Sequence, residues 1–235
     1  MCKYKNISIL IIPLFLSLIF IGCGQIKLNT STTINGDESG KAAFYISYDD
    51  AMHSTLNRDI FNAQWAKDNG FILNKYNKDS MNVEELSYKF NNLKEIQDKI
   101  NYTNVLNMSY ETKLGLNTKT YYINLKFNKD IIDDLTKKTL NSGSDKKNTE
   151  IYNYIQDVTL SNSITVPGQL IESNCSETIN ENTGIWNYKF SQINKNTEIK
   201  IVYTVHSYSM LIYLCILVLI CAGGGYYYIK KIRKR

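Results

Sequence analysis

Residues 26–48 read IKLNTSTTINGDESGKAAFYISY, and the period of this stretch decides how the chain is built. Ile26, Leu28, Thr30, Thr32 and Ile34 recur at every second position, and Ala42, Phe44, Ile46 and Tyr48 do the same. Successive side chains of a strand point to opposite faces, so a period of two puts each set on one side of a sheet. Between the runs, Asn35-Gly36-Asp37-Glu38-Ser39-Gly40 supplies turn residues. The stretch is read as a β-hairpin.

Upstream, Lys3 and Lys5 precede an apolar run from Ile7 to Ile21, broken only by Ser8, Pro13 and Ser17. As a helix it would reach roughly 22 Å, short of the ~30 Å hydrocarbon core of a bilayer. A basic stub, a short apolar centre and small residues at the stop mark 1–22 as a secretory signal peptide, with an uncleaved short anchor as the alternative. Phe20-Ile21-Gly22-Cys23 resembles a lipobox, with Phe20 standing where leucine is usual. That resemblance implies lipidation of Cys23 and cleavage just before it. Two acyl chains anchor stably where one would not.

The other end carries a second apolar run, Tyr208 to Ile229, without a charge. At about 33 Å it is long enough for a spanning helix over 208–229, the alternative being a buried core helix. Lys230, Lys231, Arg233, Lys234 and Arg235 follow, and the positive-inside rule places this tail, 230–235, in the cytoplasm. Residues 23–207 then form an extracytoplasmic domain at the cell membrane. The formal charge of +5 comes from the flanks: the first 22 residues hold two of the 27 basic residues and the tail five. The 20 that remain face 22 acidic residues, so no basic stripe is left for nucleic acid. Outside the two apolar runs and the stub, Cys23 and Cys175 are the cysteines; Cys175 pairs with Cys23 or another chain, or is a small buried hydrophobe.

Within the domain the period changes after the first hairpin. Met52, Leu56, Ile60, Phe61 and Trp65 suggest one helical face ending near Gly70. Val83, Leu86, Phe90, Leu93, Ile96 and Ile100 recur at threes and fours and predict a second, amphipathic helix over 80–100. Strands return with a hairpin around Asn117-Thr118, whose Tyr121, Ile123, Leu125 and Phe127 share a face. Residues 128–150 read as a helical turn and an exposed loop. Three strands close the domain within 152–170, 184–190 and 197–206, with a type II turn at Pro167-Gly168. The expected class is α+β: an antiparallel sheet of N- and C-terminal strands, a helical middle, and one C-terminal transmembrane helix.

The segment SITVPGQLIESNCSETINENTGIWNYKF, residues 163–190, followed by EIKIVY, resembles the signature of the LppM-like domain family of bacterial envelope lipoproteins. Pro167, Gly168, Ser173, Asn174 and Trp186 stand at its positions, and NGDESGKAAFYI resembles the family's opening hairpin. The resemblance implies an extracytoplasmic, membrane-anchored sheet domain that binds an envelope lipid or glycolipid. On the residues themselves, Trp186 fills a core or, with Trp65, lines an apolar or sugar-stacking groove.

No cofactor or metal motif is present, and His53 and His206 are the two histidines. Asp49-Asp50, Glu84-Glu85 and Asp133-Asp134 are the carboxylate doublets that hydrolysis or calcium binding would use; each also reads as a solvated turn or helix start. The favoured function is therefore a non-enzymatic envelope lipoprotein binding a lipid, glycolipid or protein partner. The alternatives are an accessory subunit of a membrane complex and a carboxylate-dependent membrane-tethered hydrolase.

Overall fold

The computed structural model describes residues 26–50, 60–102, 104–131, 158–207 and 212–220. The chain runs β1 (Ile26–Ile34), β2 (Gly40–Tyr48), α1 (Ala63–Asp68), β3 (Ile72–Lys78), β4 (Met81–Phe90), α2 (Leu93–Tyr102), β5 (Leu106–Leu114) and β6 (Thr118–Phe127). After residues outside the described set come β7 (Thr159–Thr165), β8 (Gln169–Ser173), β9 (Glu177–Ile179), β10 (Thr183–Lys189) and β11 (Glu198–His206). The strands form two sheets: a larger one in the order β3-β4-β2-β1-β7-β10-β9 and a smaller one in the order β5-β6-β11-β8.

β1 and β2 pair antiparallel from Ile26–Tyr48 to Ile34–Gly40. Their turn is locked by its own residues: the Asn35 N–H donates to the Ser39 carbonyl at 2.7 Å, and the Ser39 N–H and hydroxyl donate to Asp37 Oδ1. Glu38 takes a left-handed φ of 69° at this tip. Its Oε1 lies 2.6 Å from Lys119 Nζ and accepts from the Tyr121 hydroxyl at 2.9 Å, latching the first hairpin onto the smaller sheet. Burial pushes the Glu38 carboxyl up, but the bonds from Lys119 and Tyr121 outweigh it and hold the group below its usual value. A depressed folded value means the latch stabilises above the ordinary glutamate range and is lost as pH falls through the folded value. Glu38→Gln should therefore lower stability by about 1 kcal/mol at neutral pH. Melts of both proteins should converge in acid; a gap that persists there would show that charge is not what holds the latch.

The expected helical middle is overturned. Residues 81–90, read as the first half of an amphipathic helix, form β4, hydrogen-bonded to β2 on one side and β3 on the other. Val83, Leu86 and Phe90 fit helical spacing, but Glu84, Leu86 and Phe90 also share one strand face while Val83, Glu85 and Ser87 share the other, and all six are buried. Two ladders and two covered faces outweigh the local helix preference of Glu-Glu-Leu. The helix begins only at Leu93, where Asn92 Oδ1 accepts from the Glu95 N–H at 2.9 Å as an N-cap. Of the other expected helix, residues 51–59 lie outside the described set; the described part is helical over the six residues of α1, capped by Asn62, and β3 follows it.

Two further corrections concern topology and the C-terminus. The N- and C-terminal strands do not make one antiparallel sheet: β1 pairs with β7 in parallel, and β11 belongs to the second sheet. No helix among the described residues is long and apolar enough to cross a membrane. Of the expected span 208–229, the described part is helical over 212–220. The signal stub, Cys23, His53, Asp133-Asp134, the loop 132–150 and the tail 230–235 lie outside the described residues.

The sheets pack face to face. Ile34, Phe90, Ile164, Val166 and Trp186 of the larger sheet and its connections meet Met108, Tyr121, Ile123, Leu125, Phe127, Ile199, Ile201 and Tyr203 of the smaller, with Leu93 and Ile96 of α2. Tyr121 and Tyr203 stack at 4.7 Å between centroids. A second cluster, Leu28, Ile46, Tyr48, Ile60, Phe61, Ala66 and Leu86, forms where the 60–66 segment covers the other end of the larger sheet.

Candidate functional site

The chain crosses from the larger sheet to the smaller between Thr165 and Gln169, through Val166, Pro167 and Gly168. Gly168 does not adopt a left-handed φ, so the expected type II turn at Pro167-Gly168, which needs one there, is not formed. A Cβ there would lie 1.7 Å from the Thr204 carbonyl oxygen, so the requirement is close approach to β11. Asn174, just past β8, uses both ends of its amide. Its Oδ1 accepts from Trp186 Nε1 and from the Lys200 N–H, each at 2.8 Å, and its Nδ2 donates to the Glu198 carbonyl at 2.7 Å. One side chain thereby ties β10 to β11 across the two sheets. Trp186 is 1% exposed, with its indole N–H satisfied. Cys175 is a free, half-buried thiol packed against the same cluster.

Between the two core clusters the inner face of the larger sheet carries half-buried residues, of which Ala42 packs against the first cluster and Phe44 against the second, edge-on to Phe61. The register sets Trp186, Asn162, Thr30, Phe44 and Leu86 side by side in one row, and Gly184, Ile164, Thr32, Ala42 and Tyr88 in the next. Of the row ends, Trp186 and Leu86 are core members of the two clusters, Gly184 is buried and Tyr88 packs half-buried against the first cluster. Thr30, Thr32, Ala42, Phe44 and Asn162 point inward like their neighbours yet keep part of their surface accessible. The Thr30 hydroxyl is buried without a hydrogen-bond partner. An unpaired buried hydroxyl costs about 1–3 kcal/mol, which a polar group brought beside it would recover.

Trp65 lies at the α1 edge of this face, away from Trp186. It stacks on Phe71 at 5.7 Å, and Phe71 meets Tyr88 at 5.8 Å. The Lys99 ammonium sits 4.1 Å from the Tyr88 ring centre and 4.6 Å from that of Phe71. Burial holds Lys99 below its usual value, with Glu95 opposing. Tyr88 donates to Glu95 and is pushed up to about 12, by burial first and then by that bond, so it remains a neutral phenol at physiological pH. The inner faces of these rings already hold a cation, so they are a wall rather than an open aromatic cage.

The carboxylate doublet Glu84-Glu85 does not form a pair. Alternation sends Glu84 inward, where it accepts from the Tyr48 hydroxyl and the Ile60 and Phe61 N–H groups, and sends Glu85 outward to Lys41. Asp50 accepts from Asn82 Nδ2. Among the described residues no group of three His, Cys, Asp or Glu is placed to hold a metal ion. The inward stripe itself went unread as a site because Thr30, Thr32, Ala42 and Phe44 sat in the alternating face as core. Two threonines at consecutive inward positions were the signal, since a face packed throughout is apolar.

The molecule is thus a two-sheet domain, rich in strand, whose inner surface is packed in two clusters with a half-buried stripe of mixed polarity between them. No family model matches the chain, and no curated protein does. Among solved structures it matches the folded domain of the Mycobacterium tuberculosis LppM protein, determined by NMR, at 10% identity and a TM-score of 0.39. The match covers 77% of this chain and 89% of that one. A superposition at this level assigns no residue roles.

Proposed function

We propose that the chain is a non-enzymatic, membrane-associated envelope lipoprotein that binds an amphipathic lipid or glycolipid, with Cys23 carrying its acyl anchor. The observation that supports this reading most is the inward stripe between the clusters. Ala42, Phe44 and neighbouring Leu160 offer apolar contact, while Thr30, Thr32 and Asn162 offer hydroxyl and amide partners. A mostly apolar lining with a few placed polar groups suits one molecule with a chain and a hydroxylated head. A protein partner is the second reading, favoured by the edge strand β3, where Ile72 is 50% and Tyr76 41% exposed.

Native mass spectrometry of the full chain, exposed in detergent to lipid extracted from its own membranes, tests both. The expected spectrum shows a retained lipid adduct, and a covalent mass matching a diacylglyceryl group on a chain lacking residues 1–22. Ala42→Leu, which fills the stripe, should reduce adduct occupancy about tenfold while costing at most ~1–3 kcal/mol of stability. A clean protein peak would end the lipid reading and direct crosslinking to Tyr76. Full occupancy in Ala42→Leu would move the ligand elsewhere.

A further inference from the structure

Hairpin tips are ordinarily built from Gly, Asn, Asp, Ser and Pro. The tip between β5 and β6 is Gly115-Leu116-Asn117, preceded by Leu114 at the end of β5, with Leu114 52% and Leu116 63% exposed. The turn is closed: the Gly115 N–H donates to the Thr118 carbonyl at 2.7 Å, and a Cβ on Gly115 would lie 2.9 Å from Thr118 Oγ1. The two leucines are therefore displayed on a fixed support.

β11 ends at this same place. His206 pairs with Thr118, and the Ser207 N–H donates to the Asn117 carbonyl at 2.9 Å, so the chain leaves the sheet beside the leucines. The next described segment, the helical piece 212–220, exposes Ile212, Tyr213, Leu214, Ile216, Leu217, Val218, Leu219 and Ile220. Five residue steps cannot carry its start more than about 18 Å from Ser207. Two exposed apolar surfaces therefore arise within a short reach of each other, at one end of the domain.

We infer that the Leu114–Leu116 tip is a lipid-contacting wedge that seats this end of the domain in a bilayer. The inference rests on the membrane association proposed above and adds an orientation to it. A bilayer fits better than a protein groove because 212–220 is apolar all round and needs apolar surroundings on every side. Lys113, next to Leu114, holds its ammonium 4.8 Å from the Tyr122 ring centre and supplies a cation of the kind anionic headgroups attract beside an apolar wedge.

The test places a tryptophan at each end of the smaller sheet. Leu116→Trp marks the tip, and Tyr102→Trp marks an exposed position before the start of β5. Eight residue steps of β5 separate the two ends by about 27 Å. The full chain is reconstituted in vesicles of equal parts phosphatidylcholine and phosphatidylglycerol, with and without bromine on the acyl chains. Flotation reports association; emission above the parent background of Trp65 and Trp186 reports depth. The expected result is at least about a twofold quenching of the Leu116→Trp emission, with Tyr102→Trp unchanged. Floating protein with an unquenched tip would overturn the wedge and leave membrane association standing. Equal quenching at both positions would overturn the end-on orientation. Protein that does not float would overturn both readings.

Discussion

Gly168→Ala is expected to lower the melting temperature by about 6–12 °C, the largest effect of a single added methyl group in this domain. The new Cβ would fall 1.7 Å from the Thr204 carbonyl oxygen and 2.8 Å from its carbon, which are backbone atoms of β11. Flexible side chains can swing away from such a contact; a strand paired on both sides cannot. β11 is held by β6 along its whole length and by β8 at the point of contact. Relief requires moving the crossing that joins the sheets, at a cost of about 3 kcal/mol, the upper end for overpacking. Pro167→Ala is the control, because Pro167 is exposed and its removal should change little. Thermal unfolding followed by circular dichroism reads both. An alanine variant that melts with the parent would refute the close approach.

Glu84→Ala should be at least as damaging for the opposite reason, because it removes an acceptor instead of adding bulk. Glu84 is 1% exposed and accepts from the Tyr48 hydroxyl at 2.7 Å and from the Ile60 and Phe61 N–H groups at 2.8 Å each. Those two backbone groups lie in the segment that covers the second cluster, so the carboxylate fastens a lid onto the larger sheet. Without it two or three buried donors are stranded, at about 1–3 kcal/mol each, so a loss of about 3–5 kcal/mol is expected. Glu84→Gln keeps one acceptor oxygen and should recover about half of that. Hydrogen exchange separates this from general destabilisation: amides near Ile60 and Phe61 should lose protection before those of β6 and β11. Uniform loss across the domain would show that Glu84 does not act through the 60–61 segment.

Much of the sheet was legible in local periodicity. The alternation of 26–34 and 42–48 placed the first hairpin, and the shared face of Tyr121, Ile123, Leu125 and Phe127 is the buried face of β6. Residues 81–90 were misread because Val83, Leu86 and Phe90 fit a period of three to four, while β4 buries both of its faces, so that no polar alternation marks the period of two. Only the strands on either side, β2 and β3, settle which period operates. The Asn-x-x-Glu pattern at Asn92 and Glu95 was the available warning that the helix starts at Leu93. For the site, Trp186 was singled out from sequence, but whether an indole faces a groove or a core depends on what covers it, and Asn174 with the smaller sheet covers it.

The sequence by itself determined what depends on neighbours along the chain: which stretches alternate, where turns fall, and where the basic residues flanking the domain are concentrated. Tertiary structure alone decided what depends on distant strands. It made β1 a parallel partner of β7, made Gly168 necessary through Thr204, and turned Glu84 and Glu85 to opposite faces. It also left Thr30, Thr32, Ala42, Phe44 and Asn162 inward but only half-buried. Periodicity reports which face a side chain takes, whereas burial and pairing report what stands against that face, and the second is set by contacts between strands far apart in the chain.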